Sequence, residues 1–386
     1  MGNNNARIRV LFVIDHIYAV TGGTENQLVK LVNNLSQNRY ELHLLCLNET
    51  PWLKRNRYLL NAKIHAYHYD VFNHKHPRNV IQVLRIIQLI RRLSPDIAIC
   101  FFKTSYVLGV LCARLAGVKA VVSTRRDYGL WLGKKYLHLL RIANRFVSVI
   151  VTNSSRVRDL VVDKEQFDER RIVVIYNGID NEVFPTRENA NVGVREELGI
   201  PLRNSVVGIV AGLRPMKRHE TFLQAAKSIL DRRRDVSFLV VGDGPLGGEL
   251  EDLVRKLDIR ASVLFLGWKE DVLPYLSIMD IGINCSANEG MSNAIMEYMR
   301  SGVPCIVSNA GGNSELIEHG LNGWVFRLDD HEELARLILA LLNDPDKRRM
   351  FIEKSKERIR FGFSVEKMIR EYDALFSAIT TRNESK

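Results

Sequence analysis

Two carboxylates, Glu289 and Glu297, stand eight residues apart on either side of Gly290-Met291-Ser292-Asn293. A cationic stretch, Leu213-Arg214-Pro215-Met216-Lys217-Arg218-His219, and a glycine pair, Thr21-Gly22-Gly23-Thr24-Glu25, are the other segments whose residue types suit chemistry. Fixed cations beside several oriented backbone N–H donors are what a diphosphate requires. A diphosphate repels carboxylates, so Glu289 and Glu297 are expected to accept hydrogen bonds from neutral hydroxyls, such as those of a sugar ring and a ribose. Together these residues describe a nucleotide-sugar site. No acid and base are paired at a useful spacing, so any rate effect must come chiefly from electrostatic stabilisation of a departing diphosphate, for which no metal is needed.

Such groups must be held at the carboxyl ends of parallel strands, where a loop leads into a helix N-terminus. Short Val/Ile/Leu runs do alternate with helix-period segments along the chain, the pattern of βαβ units. Strands are predicted at 8–15, 41–47, 64–69, 97–102, 120–125, 147–153 and 173–176. A second series follows the polar stretch 177–204, at 206–212, 237–241, 263–266, 281–285, 305–308 and 324–326. Helices are expected at 25–35, 78–93, 104–116 and 346–360, with a last one at 365–379 after a break at Phe361-Gly362-Phe363. The fold class is therefore α/β, with two doubly wound, Rossmann-like parallel-sheet domains, each long enough at this chain length to bury its own core. Glu289 falls in a loop and Glu297 about a turn and a half into the next helix.

At this point the residues resemble a known family, the retaining glycosyltransferases of family 4, which have the two-domain GT-B architecture with the domains facing a central cleft. The resemblance runs over nearly the whole chain. It is carried by the Glu-x7-Glu motif Glu289 to Glu297, then Ser301-Gly302-Val303-Pro304 and Gly311-Gly312-Asn313-Ser314-Glu315. Gly22-Gly23-Thr24-Glu25, Tyr176-Asn177-Gly178-Ile179-Asp180 with Phe184, and Val241-Gly242-Asp243-Gly244-Pro245 support it. It implies sugar transfer from a nucleotide donor, UDP- or GDP-linked, with the anomeric configuration kept. It also implies an acceptor-side domain at 1–184, with helix 364–386 packing back on it, and a donor domain at 185–363. Glu289 would contact the donor sugar, Glu297 the ribose, and Lys217 the diphosphate. Gly290, Met291, Ser292, Asn293 and Gly242 would line the donor site, with Gly22 and Gly23 closing over it.

Two positions depart from the family pattern. Where many relatives have an Arg shortly before the lysine, this chain reads Ala211-Gly212-Leu213, which leaves Arg214 as the second phosphate cation. Where many have a His after the fifth strand, it reads Arg125-Arg126-Asp127, an acceptor-side set in which either the arginines take over an electrostatic role or the acceptor site differs. The alternatives are a nucleotide-sugar epimerase of the same architecture and a non-catalytic partner subunit that keeps the fold.

The remaining segments read more blandly. Gly242 to Gly247 matches G-x-G-x-x-G, but no acid ends the next strand and Pro245 removes an N–H, so a dinucleotide site is discounted. His65, His68, His74 and His76 are close in sequence, yet the first two fall on opposite faces of a strand, and a solvated segment is preferred to a metal site. Asp344-Pro345-Asp346 reads as a helix start. The helix 78–93 is apolar on more sides than a surface helix needs, which suits either core packing or membrane docking.

Composition sets the partners and the compartment. The chain has 386 residues, 46% hydrophobic and 26% charged, with a net charge of +11. Residues 1–185 hold 27 basic and 14 acidic side chains, while the remainder is nearly neutral. The excess therefore belongs to the acceptor side rather than to the nucleotide. It predicts salt-sensitive binding to an anionic membrane by residues including Arg55, Arg57, Lys134 and Lys135. The basic residues are dispersed and match no RNA- or DNA-binding motif, so nucleic acid is not expected. Five cysteines at wide spacings read as buried thiols in a reducing cytosol. No apolar run is long enough to span a bilayer, and the N-terminal residues match neither a signal peptide nor a myristoylation site. The expected location is the cytoplasm, peripheral on the inner face of the membrane, with a lipid-linked or glycan acceptor and no cofactor.

Overall fold

The computed structural model describes residues 7–19, 23–69, 77–127, 129, 133–180 and 191–384. The chain divides into two compact units, one of Met1–Gly178 with Val365–Lys386, the other of Ile179–Ser364.

In the first unit β1 (Ile8–Ile14), α1 (Gly23–Asn34), β2 (Tyr40–Cys46), α2 (Pro51–Asn56) and β3 (Lys63–Ala66) follow one another. Then come α3 (Pro77–Leu93), β4 (Ile97–Phe101), α4 (Val110–Leu115), β5 (Ala120–Arg125), α5 (Lys134–Asn144), β6 (Val149–Thr152), α6 (Ser155–Leu160) and β7 (Ile172–Val174). The strands form one parallel sheet in the order β3-β2-β1-β4-β5-β6-β7. Such strands are covered on both faces, so they carry unbroken apolar runs. Val10, Phe12 and Ile14 of β1 face a layer with Leu28 and Leu31 of α1, whereas Leu11 and Val13 face Ile86 and Ile90 of α3, Val110 of α4 and Ala143 of α5.

The second unit runs α7 (Asn191–Glu197), β8 (Ser205–Val210), α8 (His219–Leu230), β9 (Val236–Val241), α9 (Gly247–Lys256), β10 (Val263–Gly267) and α10 (Leu273–Ile278). It continues with β11 (Ile281–Asn284), α11 (Asn293–Arg300), β12 (Cys305–Ser308), α12 (Asn313–Leu316), β13 (Gly323–Phe326), α13 (His331–Leu342) and α14 (Pro345–Gly362). Its sheet is also parallel, ordered β10-β9-β8-β11-β12-β13. The final helix, α15 (Val365–Glu384), belongs to the first unit, where Met368, Tyr372 and Phe376 are buried against the α1 layer. Each such side chain contributes about 2 kcal/mol on burial, which accounts for the chain's return.

Local chemistry sets several boundaries. Asp344 caps α14 by accepting from Lys347 N at 2.8 Å with Pro345 at the first helical position, so Asp344-Pro345-Asp346 is a helix start. That helix continues through Gly362, two residues further than predicted, and breaks at Phe363-Ser364. The third strand stops at Ala66, short of Tyr69. Residues 105–109 are wound as a π-helix ahead of α4. All five cysteines are buried, and desolvation pushes the thiols of Cys46 and Cys112 up to about 12.

Candidate active site

In the second sheet β8 connects outward to β9 on one side, and β11 flanks it on the other, so the strand order reverses between β8 and β11. Open α/β sheets place ligand crevices at such a reversal, outside the strand carboxyl ends. The loops after β8, β11 and β12 meet there. Ala287 N donates to Met216 O at 2.8 Å, joining the first two loops, and Gly312 N donates to Glu289 O at 2.9 Å, joining the third.

Lys217 and Glu289 form an ion pair at this junction, with 22% and 9% of their side chains exposed. Ser286 Oγ also donates to Glu289 Oε1 at 2.9 Å. Burial opposes ionisation of Glu289. The Lys217 ammonium and the hydroxyls of Ser286 and Ser292 outweigh it and hold the carboxyl below the ordinary range, so it is charged at neutral pH. Gly311, at φ +62°, permits the third loop's approach, since a Cβ there would run into the Glu289 carbonyl oxygen and lie 2.9 Å from its amide nitrogen.

Beneath the pair lies a buried polar network, of whose members motif reading names Ser292 and Asn313 but not Asn284 or Ser308. Asn284 Nδ2 donates to Ser292 Oγ at 3.1 Å, and Asn284 Oδ1 accepts from Ser286 N at 3.1 Å and Asn313 Nδ2 at 3.3 Å. Asn313 Nδ2 also reaches Ser308 Oγ at 3.1 Å, and Ser308 Oγ donates to Ser286 O at 2.6 Å. Ser292 caps α11 by accepting from Ile295 N. The one signal available in sequence is that β11 and β12, otherwise apolar, each end on a polar residue, Asn284 and Ser308.

The other expected residues of this unit take up different positions. Gly290, Met291 and Ser292 are buried and Asn293 opens α11 half-exposed. Glu297 is the fifth residue of α11, just over one turn in and half-buried. The helix is pinned by the next residue, Tyr298, whose buried hydroxyl accepts from Val210 N at 2.7 Å. Arg214 is exposed at the start of the one-turn helix Pro215–Lys217. Gly242 donates its N–H to Gly267 O at 2.9 Å and packs against the Ala211 carbonyl, so it shapes the loop that carries Arg214 and Lys217. His219, the first residue of α8, is fully buried, and desolvation with the Lys217 charge lowers it to about 4, a neutral imidazole at pH 7. Among the described residues no three His, Cys, Asp or Glu side chains cluster as metal ligands would.

Two family models match the chain, Glycosyltransferase Family 4 over residues 21–183 and Glycosyl transferases group 1 over residues 194–358, leaving out only the two ends and a short middle stretch. The chain belongs to the family 4 glycosyltransferases. A galactosyltransferase of Escherichia coli named for UDP-Gal and α-D-GlcNAc-diphosphoundecaprenol is 24% identical over 97% of this chain and 98% of its own. N-acetyl-α-D-glucosaminyl L-malate synthase of Bacillus anthracis is 31% identical over 53% of each. Among solved structures, Anabaena Alr3699/HepE with UDP-glucose shares the fold at a TM-score of 0.84, 22% identical, covering 96% of this chain and all of that one. GT-B is thus the architecture of this glycosyltransferase.

In its first unit the structure corrects one expectation. Arg125 is buried and its five N–H donors are all taken: Nε and Nη2 hold Glu165 at 2.7 and 2.9 Å, Nη2 also meets Asn144 Oδ1, and Nη1 meets Ser123 Oγ and Thr124 O. Its guanidinium lies 4.2 Å from the centre of the Tyr106 ring. No donor is left for an acceptor, so Arg125 holds the fold together. Arg126 donates to Asn177 Oδ1 at 3.0 Å, and Asp127 accepts from Gly129 N at 2.7 Å to close a turn. Gly23 is exposed as the first residue of α1, while Gly22 lies outside the described residues. After β1, Asp15 accepts from Thr104 N, Ser105 N and Ser105 Oγ at 2.6–2.8 Å, and His16 stacks on Phe102 and meets the Tyr18 ring at a tilt. His65 lies on β3 beside His43, ring nitrogens 3.1 Å apart, rather than in a solvated segment; His74 and His76 lie outside the described residues.

Proposed function

We propose that this glycosyltransferase moves a sugar from a uridine or guanosine diphosphate donor to a lipid-linked or polymeric glycan acceptor, with the anomeric configuration retained and without a metal. The observation that carries the proposal is the Lys217–Glu289 pair at the strand-order reversal, fixed by three loops and set on the network of Asn284, Ser308 and Asn313. A cation and a carboxylate already side by side match the two halves of a nucleotide sugar. Lys217, with Arg214 entering from the exposed edge of its loop, would take the diphosphate. The carboxylate of Glu289 would accept from sugar hydroxyls and that of Glu297 from the ribose. The UDP-glucose complex of the structural neighbour and the UDP-Gal donor and diphosphoundecaprenol acceptor in the Escherichia coli relative's name support a uridine donor and a lipid-linked acceptor.

In the reaction the bond from the anomeric carbon to the diphosphate oxygen breaks with both electrons leaving on the diphosphate. The acceptor hydroxyl forms the new bond on the same face and passes its proton to the departing diphosphate oxygen. Charge gathers where Lys217 stands, and loss of one such preorganised contact typically costs about 10²–10³-fold in rate. The test is to supply a panel of nucleotide sugars with a lipid-linked acceptor and to read the linkage of the product by NMR. A product with the donor's anomeric configuration, formed in the presence of a chelator, is expected. Inversion overturns retention, a metal requirement overturns the metal-free scheme, and isomerised donor without transfer supports an epimerase.

A further inference from the structure

The positive charge of the first unit is concentrated on one layer. Helices α3, α4 and α5 cover the same face of the sheet, through Ile86, Val110 and Ala143, and contain no Asp or Glu. The opposite layer is mixed, with α15 alone carrying Glu366, Glu371 and Asp373 beside Lys367 and Arg370. The same face also carries α6, with Val157 packed into it and Asp159 exposed, but on the acid-free helices α3, α4 and α5 aliphatic side chains stand exposed among the cations. Ile81 and Leu84 of α3 are exposed, the latter by 63%, as are Leu115 at the end of α4 and Leu139 of α5, by 63% and 52%. These residues belong to one continuous surface: Arg91 Nη2 donates to Leu115 O at 3.0 Å, linking α3 to α4, and Arg114 Nε donates to Phe146 O at 2.6 Å, linking α4 to the end of α5. Arg85, Arg92, Lys134 and Lys135 are exposed among them and have no ion pair among the described residues.

Exposed aliphatic side chains interleaved with unpaired cations suit neither bulk water nor a nucleic-acid backbone, which rewards charge alone. They suit the headgroup boundary of an anionic bilayer, where apolar side chains enter the acyl region while Lys and Arg meet phosphates. We propose that the outward faces of α3, α4 and α5 dock the protein on an anionic phospholipid bilayer. The inference deepens the lipid-linked acceptor reading and rests on it for its purpose. It also redraws the basic surface expected from the sequence. Lys134 and Lys135 belong to it, whereas Arg55 lies on α2, whose Leu53 packs in the opposite layer, and Arg57 is paired with Glu49.

The experiment is co-sedimentation with vesicles of phosphatidylcholine alone and of phosphatidylcholine with phosphatidylglycerol. The expected result is binding to the anionic vesicles only, weakening as salt shortens the Debye length. Lys134→Ser and Lys135→Ser each reduce partitioning about fivefold at low salt. Ile81→Asp with Leu84→Asp abolishes binding while the melting temperature holds, because both side chains point to solvent. Equal binding to neutral vesicles, no binding, variants that bind like wild type, or self-association that alone covers the patch each overturn the proposal. Nucleotide-induced thermal stabilisation, read on the same variants, separates the two claims. Intact stabilisation without vesicle binding defeats docking alone, and vesicle binding without sugar transfer defeats the catalytic reading alone.

Discussion

Replacing Lys217 by Met tests the arrangement from the inside. The substitution keeps the side chain's length and leaves the Glu289 carboxylate, 9% exposed, without its cation. Removing one member of a fully buried pair costs about 3–5 kcal/mol. Lys217 is 22% exposed and Ser286 still donates to the carboxylate, so about 2 kcal/mol is expected here. For a unit the size of Ile179–Ser364 that lowers the melting transition by about 4–8 °C. Adding Glu289→Gln removes the orphaned charge, and the double variant recovers about half of the loss, a coupling that a double-mutant cycle measures. The pH dependence has a definite sign. In the wild type the carboxyl is held low, so its contribution is present above the unfolded carboxylate value and is lost as pH falls through the folded value. In Lys217→Met burial is no longer opposed by the ammonium, the carboxyl rises, and the gap in melting temperature from wild type narrows as pH falls. Sugar transfer falls about 10²–10³-fold. A single variant that melts with the wild type at neutral pH, or two substitutions whose effects simply add, would refute the coupling of Lys217 to Glu289.

Three further outcomes follow from the same geometry. His219 is neutral when folded and titrates near 6.5 when unfolded, so it contributes stability above that pH that is lost as pH falls toward 4, about 3 kcal/mol over the window; thermal melts of His219→Gln across it will be flatter for the second unit's transition. Gly311→Ala and Gly320→Ala both place a side chain at positive φ, costing about 1–2 kcal/mol, but only the former meets the Glu289 backbone, so calorimetric titration will show weakened nucleotide binding in Gly311→Ala and unchanged binding in Gly320→Ala. Arg125→Lys cannot satisfy the five acceptors around Glu165 and destabilises the first unit by about 3 kcal/mol, while nucleotide binding to the second unit, measured in the same way, is unchanged.

The doubly wound sheets were legible because strands covered on both faces must be apolar along their length, and the thirteen strands among the described residues fall within the runs read from the sequence or overlap them. Strand ends were less legible. The third strand stops at Ala66 because its regular parallel register with β2 ends there: Tyr67 N and Tyr69 N still donate to Cys46 O and Leu47 O, but His68 and Asn48 meet in an isolated antiparallel bridge. Lys217 and Glu289 could be singled out because parallel topology says which loops to inspect, but their direct pairing is a contact across 72 positions that no local pattern encodes. Asn284 and Ser308 were passed over because a polar residue at a strand end is ordinary until its neighbours are known, and Asn313 was quoted in its motif without a role of its own. Arg125 was misplaced for the same reason. An arginine at the end of a strand reads as a surface cation, and its partner Glu165 lies forty residues downstream.

The central claim is that the second unit's loop cluster delivers a sugar from a nucleotide donor. The most direct measurement is transfer of labelled sugar from a nucleotide-sugar panel into lipid-extractable product, using an acceptor-containing membrane extract, for wild type and Glu289→Ala at matched folded concentration. We expect one donor to be consumed by the wild type with release of its nucleoside diphosphate, and the variant to be slower by at least two orders of magnitude. Turnover in Glu289→Ala equal to wild type, or no transfer from any donor, contradicts the account.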